Sequence, residues 1–285
     1  MHGEPWQGWM TASLHDHLGV RATGHVHSIF RQSFNIDVDG LLLNVGQHRQ
    51  RLSPLGMALD PTEFGPLWET VAIGDLVRWS ARKLAIYPSR GTPVVIPWER
   101  TATVDHAVPY GAMNPEILAG FAESIQALSL DTKIGLTWDA DLQRVVGQLR
   151  RADADESERQ SAFRWLLGRG KGLTPSGDDI VAGYAFLLWM FGIAVIDARL
   201  RDEARQRTTA TSATLLHMLS FGETGQALFD VWRAANEGSL QNLDHSLKRV
   251  LEIGHTSGAD TVFGIGLGVE RLLGAGNRPK AGGGE

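Results

Sequence analysis

Cysteine is absent from the chain, and its absence removes several kinds of chemistry. Disulfide bonds, thiolate metal ligands and cysteine nucleophiles are all excluded. A large charge imbalance is absent too, because 27 basic and 32 acidic side chains leave a net charge of −5 over 285 residues. The basic residues are scattered along the chain, so the sequence predicts no nucleic-acid-binding surface.

Long hydrophobic runs are also scarce, and the main exception lies at 180–196. This run approaches the length of a membrane span, but two aspartates precede it, and Gly183 and Gly192 interrupt it. We interpret it as the buried central helix of a globular domain, which can be apolar on all sides. The segment 1–20 is polar and unlike a signal peptide, so we predict no membrane association and expect a cytoplasmic location.

The first 114 residues have the patterns of β-structure. Segments in which apolar and polar residues alternate are followed by the turn Asp39-Gly40 and then by a second apolar segment. This order predicts a hairpin. The predicted strands are 24–30, 33–38, 41–45, one long or two short strands within 75–86, and 94–98, with a short helix at 61–68. We expect a sheet that forms a small barrel or sandwich.

Helical spacing dominates after residue 115. The predicted helices are 116–128, 142–151, 159–167, the central run, 197–207, 208–219, 226–235, 240–253 and 261–273. The predicted fold class is therefore α+β, with a β-rich half followed by a mainly helical half around a buried central helix. The predicted domains are 1–114 and 115–275, and a glycine-rich tail at 276–285 is predicted to be disordered.

A glycine-rich loop enters the central helix at 170–179 with the sequence Gly-Lys-Gly-Leu-Thr-Pro-Ser-Gly-Asp-Asp. Thr174 fits the N-cap with Pro175 in the first helical position, and Ser176 with Asp179 fits a capping box one register later. Free N–H groups, the helix dipole and the charge of Lys171 predict an anion site here. A well-capped helix with no ligand is the alternative.

The segment 254–264 repeats the pattern of this loop. Ser176-Gly177, Asp179 and Gly183 correspond in spacing to Ser257-Gly258, Asp260 and Gly264. The glycines at 264, 266 and 268 further predict a close approach of another backbone. Two similar helix starts in one chain predict a single composite pocket.

Several side chains near these motifs are candidates for chemistry. His255 precedes a helix start, where the dipole favours a neutral ring that can serve as a general base, and bonding to the backbone is the alternative. Hydroxyls at Thr209 and Ser212 could line the pocket or lie on a helix surface. Asp178 and Asp179 point about 100° apart on a helix, so capping and dipole compensation are favoured over shared metal binding.

Other catalytic arrangements are not predicted. The pairs His15-x-His17 and His25-x-His27 would each share a strand face if extended, but no HExxH pattern accompanies them, so no metal site is predicted. No serine lies in a GxSxG elbow, which argues against a serine nucleophile. The loop also lacks the GxxxxGK[ST] spacing of a nucleotide phosphate cradle.

The motifs resemble those of a bacterial family that includes AllH, a subunit of oxamate carbamoyltransferase in allantoin breakdown. The resemblance covers about 165–273 and rests on 172–179, on Thr208-Thr209 with Ser212, and on 254–261. It implies a subunit that acts beside FdrA-like and AllG-like partners. It further implies carbamoyl exchange between oxalurate and phosphate, which yields oxamate and carbamoyl phosphate. The alternative is a non-catalytic subunit that binds an anion or supports a complex.

Taken with the resemblance, the pattern assigns roles to individual residues, with no cofactor required. The catalytic candidates are His255, Asp178 and Asp260, and the substrate-binding candidates are Lys171, Gly172, Thr174, Ser176, Gly177, Asp179, Thr209, Ser212, Thr256, Ser257 and Gly258. The expected substrate is a small anion that carries a phosphate, carboxylate or carbamoyl group.

Overall fold

The computed structural model describes residues 8–98 and 101–276. They form two compact units. The described residues up to Ala107 and the segment Glu223–Phe229 belong to the first unit. The segment Val108–Gly222 and the described residues from Asp230 onward belong to the second. Of the predicted disordered tail, Gly276 is the last residue of a helix, and 277–285 lies outside the described residues.

The first unit is built on one sheet. Its strands are β1 (Gly8–Thr11), β2 (Arg21–Ile29), β3 (Ser33–Val38), β4 (Leu41–Gly46), β5 (Gly56–Leu59), β6 (Leu76–Ser80), β7 (Lys83–Tyr87), β8 (Val94–Pro97) and β9 (Thr101–Val104), with short helices α1 (Leu14–Leu18) and α2 (Pro61–Thr70). The strand order is β8-β7-β6-β2-β3-β4-β5-β1-β9, and the sheet is nearly closed and barrel-like. The predicted β-rich first half is confirmed.

The predicted hairpin is present and its turn explains the register. Strands β3 and β4 pair antiparallel from Val38 opposite Leu41 outward. Asp39 and Gly40 have φ values of 53° and 81°. Positive φ at both central residues is the signature of a tight hairpin turn, which Asp-Gly adopts readily. The segment 75–86 forms two strands, β6 and β7, in place of one long strand.

Asp75 organises the loop that precedes β6. Its buried carboxylate accepts from Ala72 N at 2.7 Å and from Ser89 N at 2.8 Å. We expect Asp75→Ala to lower the free energy of unfolding by about 2 kcal/mol or more, because two backbone donors lose their acceptor. The control Asp37→Ala removes only an exposed bond to Gly40 N. Urea denaturation of both variants tests this, and an equal loss in the control would contradict it.

The second half is mainly helical, as predicted. The helices are α3 (Ile117–Gln126), α4 (Ala140–Arg150), α5 (Glu156–Leu166), α6 (Ser176–Met190), α7 (Ala198–Arg207), α8 (Ala210–Leu219), α9 (Gln226–Asn236), α10 (Leu240–Leu251) and α11 (Ser257–Gly276). Helix α6 is buried along nearly its whole length and is the predicted central helix. Among the described helices, none combines the length and apolar character of a membrane span.

Several helix boundaries differ from the prediction, and three of them concern the helices of the two loops or their neighbour. Helix α6 ends at Met190, not near residue 196, because Gly192 adopts φ +80° and Ile193 N bonds back to Leu188 O at 2.9 Å. Glycine in this conformation ends a helix without steric cost. Helix α5 begins at Glu156, within the segment 153–158 expected to break the helices, because Asp155 and Glu158 form a capping box. Helix α11 begins at Ser257, four residues earlier than predicted.

The predicted cap of α6 is wrong in both registers. Pro175 occupies the N-cap position, Ser176 is the first helical residue, and no side chain in the described part of the chain caps the helix. The Thr174 hydroxyl instead lies 2.8 Å from the Ser257 hydroxyl. The side chain expected to cap α6 thus connects the two predicted loops.

Helices α6 and α11 cross through a reciprocal pair of glycines. A Cβ on Gly183 would lie 1.9 Å from Thr261 O, and a Cβ on Gly264 would lie 2.1 Å from Ile180 O. No side chain fits at either position, so the two backbones are in direct contact. The predicted backbone approach is confirmed at Gly264, whereas Gly266 and Gly268 face side chains of Ile125 and Leu187. This contact sets the distance between the two helix starts.

Candidate functional site

The two helix starts repeat each other in three dimensions. A Cβ on Gly177 would lie 2.0 Å from Leu166 O, and a Cβ on Gly258 would lie 2.0 Å from Val250 O. Each helix start therefore lies against the last turn of the helix before it. The Ser257 hydroxyl stabilises the charged form of Asp179, and the Ser176 hydroxyl does the same for Asp260. The predicted repeat thus places the serine of each helix beside the aspartate of the other helix.

Asp179 is the most strongly perturbed acid of this group. Its side chain is buried, and burial, reinforced by the nearby charge of Asp260, raises its pKa to about 8. The hydroxyls of Ser257 and Thr174 oppose that shift only in part. A carboxyl group with such a pKa is largely protonated at neutral pH and can donate a hydrogen bond or a proton.

Asp260 lies at the equivalent place on α11 and is fully buried. Its Oδ1 accepts from Gly135 N at 2.8 Å. Burial raises its pKa, while the bond from Gly135 N and the nearby hydroxyls of Ser176 and Thr256 lower it. In the described part of the chain, Oδ2 of Asp260 and Oδ2 of Asp179 have no hydrogen-bond partner. An ionised carboxyl oxygen without a partner can accept from a ligand N–H group, and a protonated one can donate to a ligand acceptor.

Asp178 faces a different set of partners. Its Oδ1 accepts from Gly168 N at 2.7 Å, and its Oδ2 accepts from the Thr208 hydroxyl. Burial raises its pKa, and these two bonds, with a contribution from Ser212, oppose the shift. Asp178 therefore holds the loop before α6 and the start of α8. Its neighbour Asp179 faces α11 instead, in agreement with the predicted divergence of the two side chains.

The loop 170–174 leads into α6 and is largely exposed. Gly170 and Gly172 have φ values of 119° and 99°, which only glycine adopts without strain. Within the described residues, the backbone N–H groups of 171–174 make no hydrogen bond. Together with the exposed Lys171 side chain, these free donors form a surface suited to an anion.

Not every predicted donor is free. Gly177 N donates to Arg169 O at 2.8 Å, and Gly258 N donates to Ile253 O at 3.0 Å. These two glycines pack the helix starts against the preceding segments. Because their N–H groups are already bonded, the two glycines cannot donate to a substrate. Their predicted role in substrate binding is therefore limited to leaving room where another residue would have a side chain.

Thr209 and Ser212 support the loop from α8. Thr209 is the N-cap of α8, and its hydroxyl donates to Leu173 O at 2.5 Å while it accepts from Ser212 N at 3.1 Å. Ser212 is buried beside Asp178. The structure thus places both residues against the first loop.

The second loop is less enclosed. Thr256 lies near Gly135, where an added Cβ would be 2.7 Å from its Oγ1. His255 is exposed and makes no hydrogen bond within the described residues. The structure therefore brings Thr256, Ser257 and Asp260 to the helix starts, whereas the ring of His255 lies at the surface.

Sequence reasoning missed two backbone donors of this site, Gly135 and Gly168. Gly135 precedes α4 and contacts the hydroxyls of Ser176 and Thr256 as well as Asp260. One signal was present, because Gly135-Leu136-Thr137 repeats the tripeptide at 172–174. Gly168 has φ +74° and carried no comparable signal.

The described residues offer no metal-binding cluster. Among the described residues, no group of three or more histidine and acidic side chains could hold a metal ion. His15 and His17 lie in the short helix α1, so the strand-face pairing considered for them does not occur. A groove of about 470 Å³ is lined by residues of the first unit and by none of the predicted site residues. The helix-start site is therefore defined by its hydrogen-bonding groups, and that groove is not part of it.

These observations define a two-unit α+β protein with a polar site at two structurally repeated helix starts. A family model described as oxamate carbamoyltransferase subunit AllH matches residues 166–269, and a model of the AllH family N-terminal domain matches 9–99. The chain belongs to the AllH family, and the resemblance inferred from the motifs is confirmed. Because the family description names a subunit, membership implies a multi-subunit complex. No solved structure matches the chain.

Proposed function

We propose that this chain is the AllH-like subunit that binds the carbamoyl substrate of an oxamate carbamoyltransferase. The reaction transfers a carbamoyl group between oxalurate and phosphate. The observation that carries the proposal is the meeting of free backbone donors and unpartnered buried carboxyl oxygens at one pair of helix starts. Family membership supports the same class of activity.

The two kinds of group suit the two ends of such a substrate. Oxalurate has a carboxylate at one end and amide N–H groups at the other. Lys171 and the free N–H groups of 171–174 suit the carboxylate or phosphate oxygens. Oδ2 of Asp260, which has no donor in the described residues, suits the N–H groups. A simple anion would satisfy only the first set.

The chemistry places two demands on the protein. A phosphate oxygen attacks the carbamoyl carbon, the carbonyl oxygen gains negative charge, and the bond from that carbon to the oxamate nitrogen then breaks. The oxyanion needs hydrogen-bond donors, and the hydroxyls of Thr174 and Ser257, which lie 2.8 Å apart, take this role in the proposal. The leaving nitrogen needs a proton to become the amide of oxamate, and Asp179 with a pKa of about 8 holds one at neutral pH.

The remaining predicted residues take supporting roles in this proposal. Asp178 holds the loop before α6 through Gly168 and Thr208. Thr209 and Ser212 hold that loop from α8. His255 can reach a substrate only from the exposed side, so its predicted proton-transfer role depends on a partner subunit that covers it.

A turnover assay of the assembled complex tests the proposal. The chain is co-expressed with its FdrA-like and AllG-like partner subunits, and carbamoyl phosphate formed from oxalurate and phosphate is measured. We expect Asp260→Asn to lower the rate by about 100-fold or more, because a buried acceptor of the substrate N–H is replaced. Asp141→Asn, at an exposed position in α4, is the matched control and should keep the rate.

The same assay separates the catalytic from the non-catalytic interpretation. A complex that needs the chain but works at full rate with Asp179→Asn, Asp260→Asn and His255→Ala would show that the chemistry lies on the partners. The chain would then be a supporting or anion-binding subunit. Circular dichroism of each variant confirms that the altered chain is folded.

A further inference from the structure

We propose that the outward face of β2, β6 and β7 is a second binding site, specific for small molecules that carry a phosphate or diphosphate group. None of the residues in this site belongs to the helix-start motifs. The site would therefore exist whether or not the proposed carbamoyl-transfer function is correct.

The register of β2, β6 and β7 places three cationic side chains on this face. Arg21 on β2 pairs with Ser80 on β6, and Ser80 pairs with Lys83 on β7. These three residues form one row across the sheet. Two residues along β6, Arg78 lies in the next row on the same face, between Thr23 and Ala85. Because adjacent strands are about 4.8 Å apart, the long side chains of Arg21, Arg78 and Lys83 can converge on a single anion.

Among the described residues, the three cations have no acidic partner. None of the three forms an ion pair in the described part of the chain, and none of the described side chains that line the groove is acidic. The neighbouring acid, Asp75, is buried and directed to the backbone of Ala72 and Ser89. This face thus carries three uncompensated positive charges, although the chain as a whole has a net charge of −5. Uncompensated cations on one face attract anions of high charge.

The shape of the face also favours a ligand. The groove has a volume of about 470 Å³, within the range of roughly 300–1,000 Å³ that small-molecule sites occupy. Ala85, which is buried and has a one-carbon side chain, is among the residues that line it. The Arg78 guanidinium lies 5.7 Å from the centre of the Tyr87 ring, which limits its orientations. An oriented guanidinium beside a second cation suits the paired oxygens of a phosphate group.

Calorimetric titration of the full chain with inorganic pyrophosphate tests this site. The double variant Arg78→Gln/Lys83→Gln removes two exposed cations and should weaken binding by about tenfold or more. The matched control is Arg31→Gln/Arg51→Gln, which removes the same charge from exposed positions of the same unit outside the groove. The control should bind as the unaltered chain does. Inorganic phosphate, titrated in parallel, should bind more weakly because it presents fewer oxygens.

Three results would overturn the proposal. They are no saturable binding at millimolar pyrophosphate, equal weakening in the control pair, and loss of binding in Lys171→Ala with no loss in the groove variant. The last result would place the anion at the helix starts. Binding that survives Lys171→Ala and is lost in the groove variant supports the second site and leaves the helix-start proposal untouched.

Discussion

The variant Gly183→Ala is expected to lose much of the stability of the helical unit. The added Cβ would lie 1.9 Å from Thr261 O, far inside the contact distance, so α6 and α11 must separate. Overpacking of this kind lowers the free energy of unfolding by roughly 3 kcal/mol when the opposing atom belongs to the backbone, which cannot change rotamer to relieve the contact. Urea denaturation followed by circular dichroism should show the midpoint shifted to lower urea with the slope unchanged.

Two further substitutions control this experiment. Gly264→Ala should have a similar effect, because its Cβ would lie 2.1 Å from Ile180 O across the same crossing. Gly147→Ala, inside α4, meets nothing within 4 Å and should stabilise the protein by about 0.5–1 kcal/mol. A Gly183→Ala protein as stable as Gly147→Ala would show that the two helices do not pack through these glycines.

The pH dependence of stability is the second large expected effect. Burial and Asp260 raise the pKa of Asp179 from 3.8 to about 8 in the folded chain, so the folded state binds a proton that the unfolded state has lost between these values. Stability therefore falls as the pH rises from about 4 to about 8. The raised pKa values of Asp178 and Asp260 act in the same direction.

The variant Asp179→Asn removes the largest part of this dependence. We expect the stability lost between about pH 5 and about pH 8 to be smaller in this variant by roughly 2 kcal/mol or more. The comparison of two pH values cancels any pH-independent effect of the amide. Asp202→Asn, at an exposed position in α7, should retain the pH dependence of the unaltered chain. An unchanged dependence in Asp179→Asn would mean that Asp179 is already ionised in the folded state.

Local sequence patterns predicted most of the fold because they act over short distances. The turn Asp39-Gly40, the alternation of β3 and the apolar faces of α3 and α10 each depend on neighbouring residues. The order of nine strands depends on pairings between distant segments, such as β1 with β9, and no local pattern encodes it. The end of α6 was missed because an apolar run does not reveal that Gly192 adopts positive φ.

The site was predictable as a pair of motifs but not as an arrangement. Matching spacing in Ser176–Gly183 and Ser257–Gly264 identified the two helix starts. The reciprocal glycine crossing, which places Asp179 near Asp260, follows from helix packing and was visible only in the structure. The Thr174 cap failed because its hydroxyl bonds across to Ser257, a residue from the other motif.

The most direct test of the central claim is calorimetric titration with carbamoyl phosphate and oxalurate, made in the Arg78→Gln/Lys83→Gln background so that the groove does not contribute. Lys171→Ala/Ser257→Ala should bind about tenfold more weakly or worse, because a charge and a hydroxyl leave the helix-start site. Lys248→Ala/Ser161→Ala is the matched control, at exposed positions elsewhere. Equal binding by both double variants would contradict a substrate site at the paired helix starts.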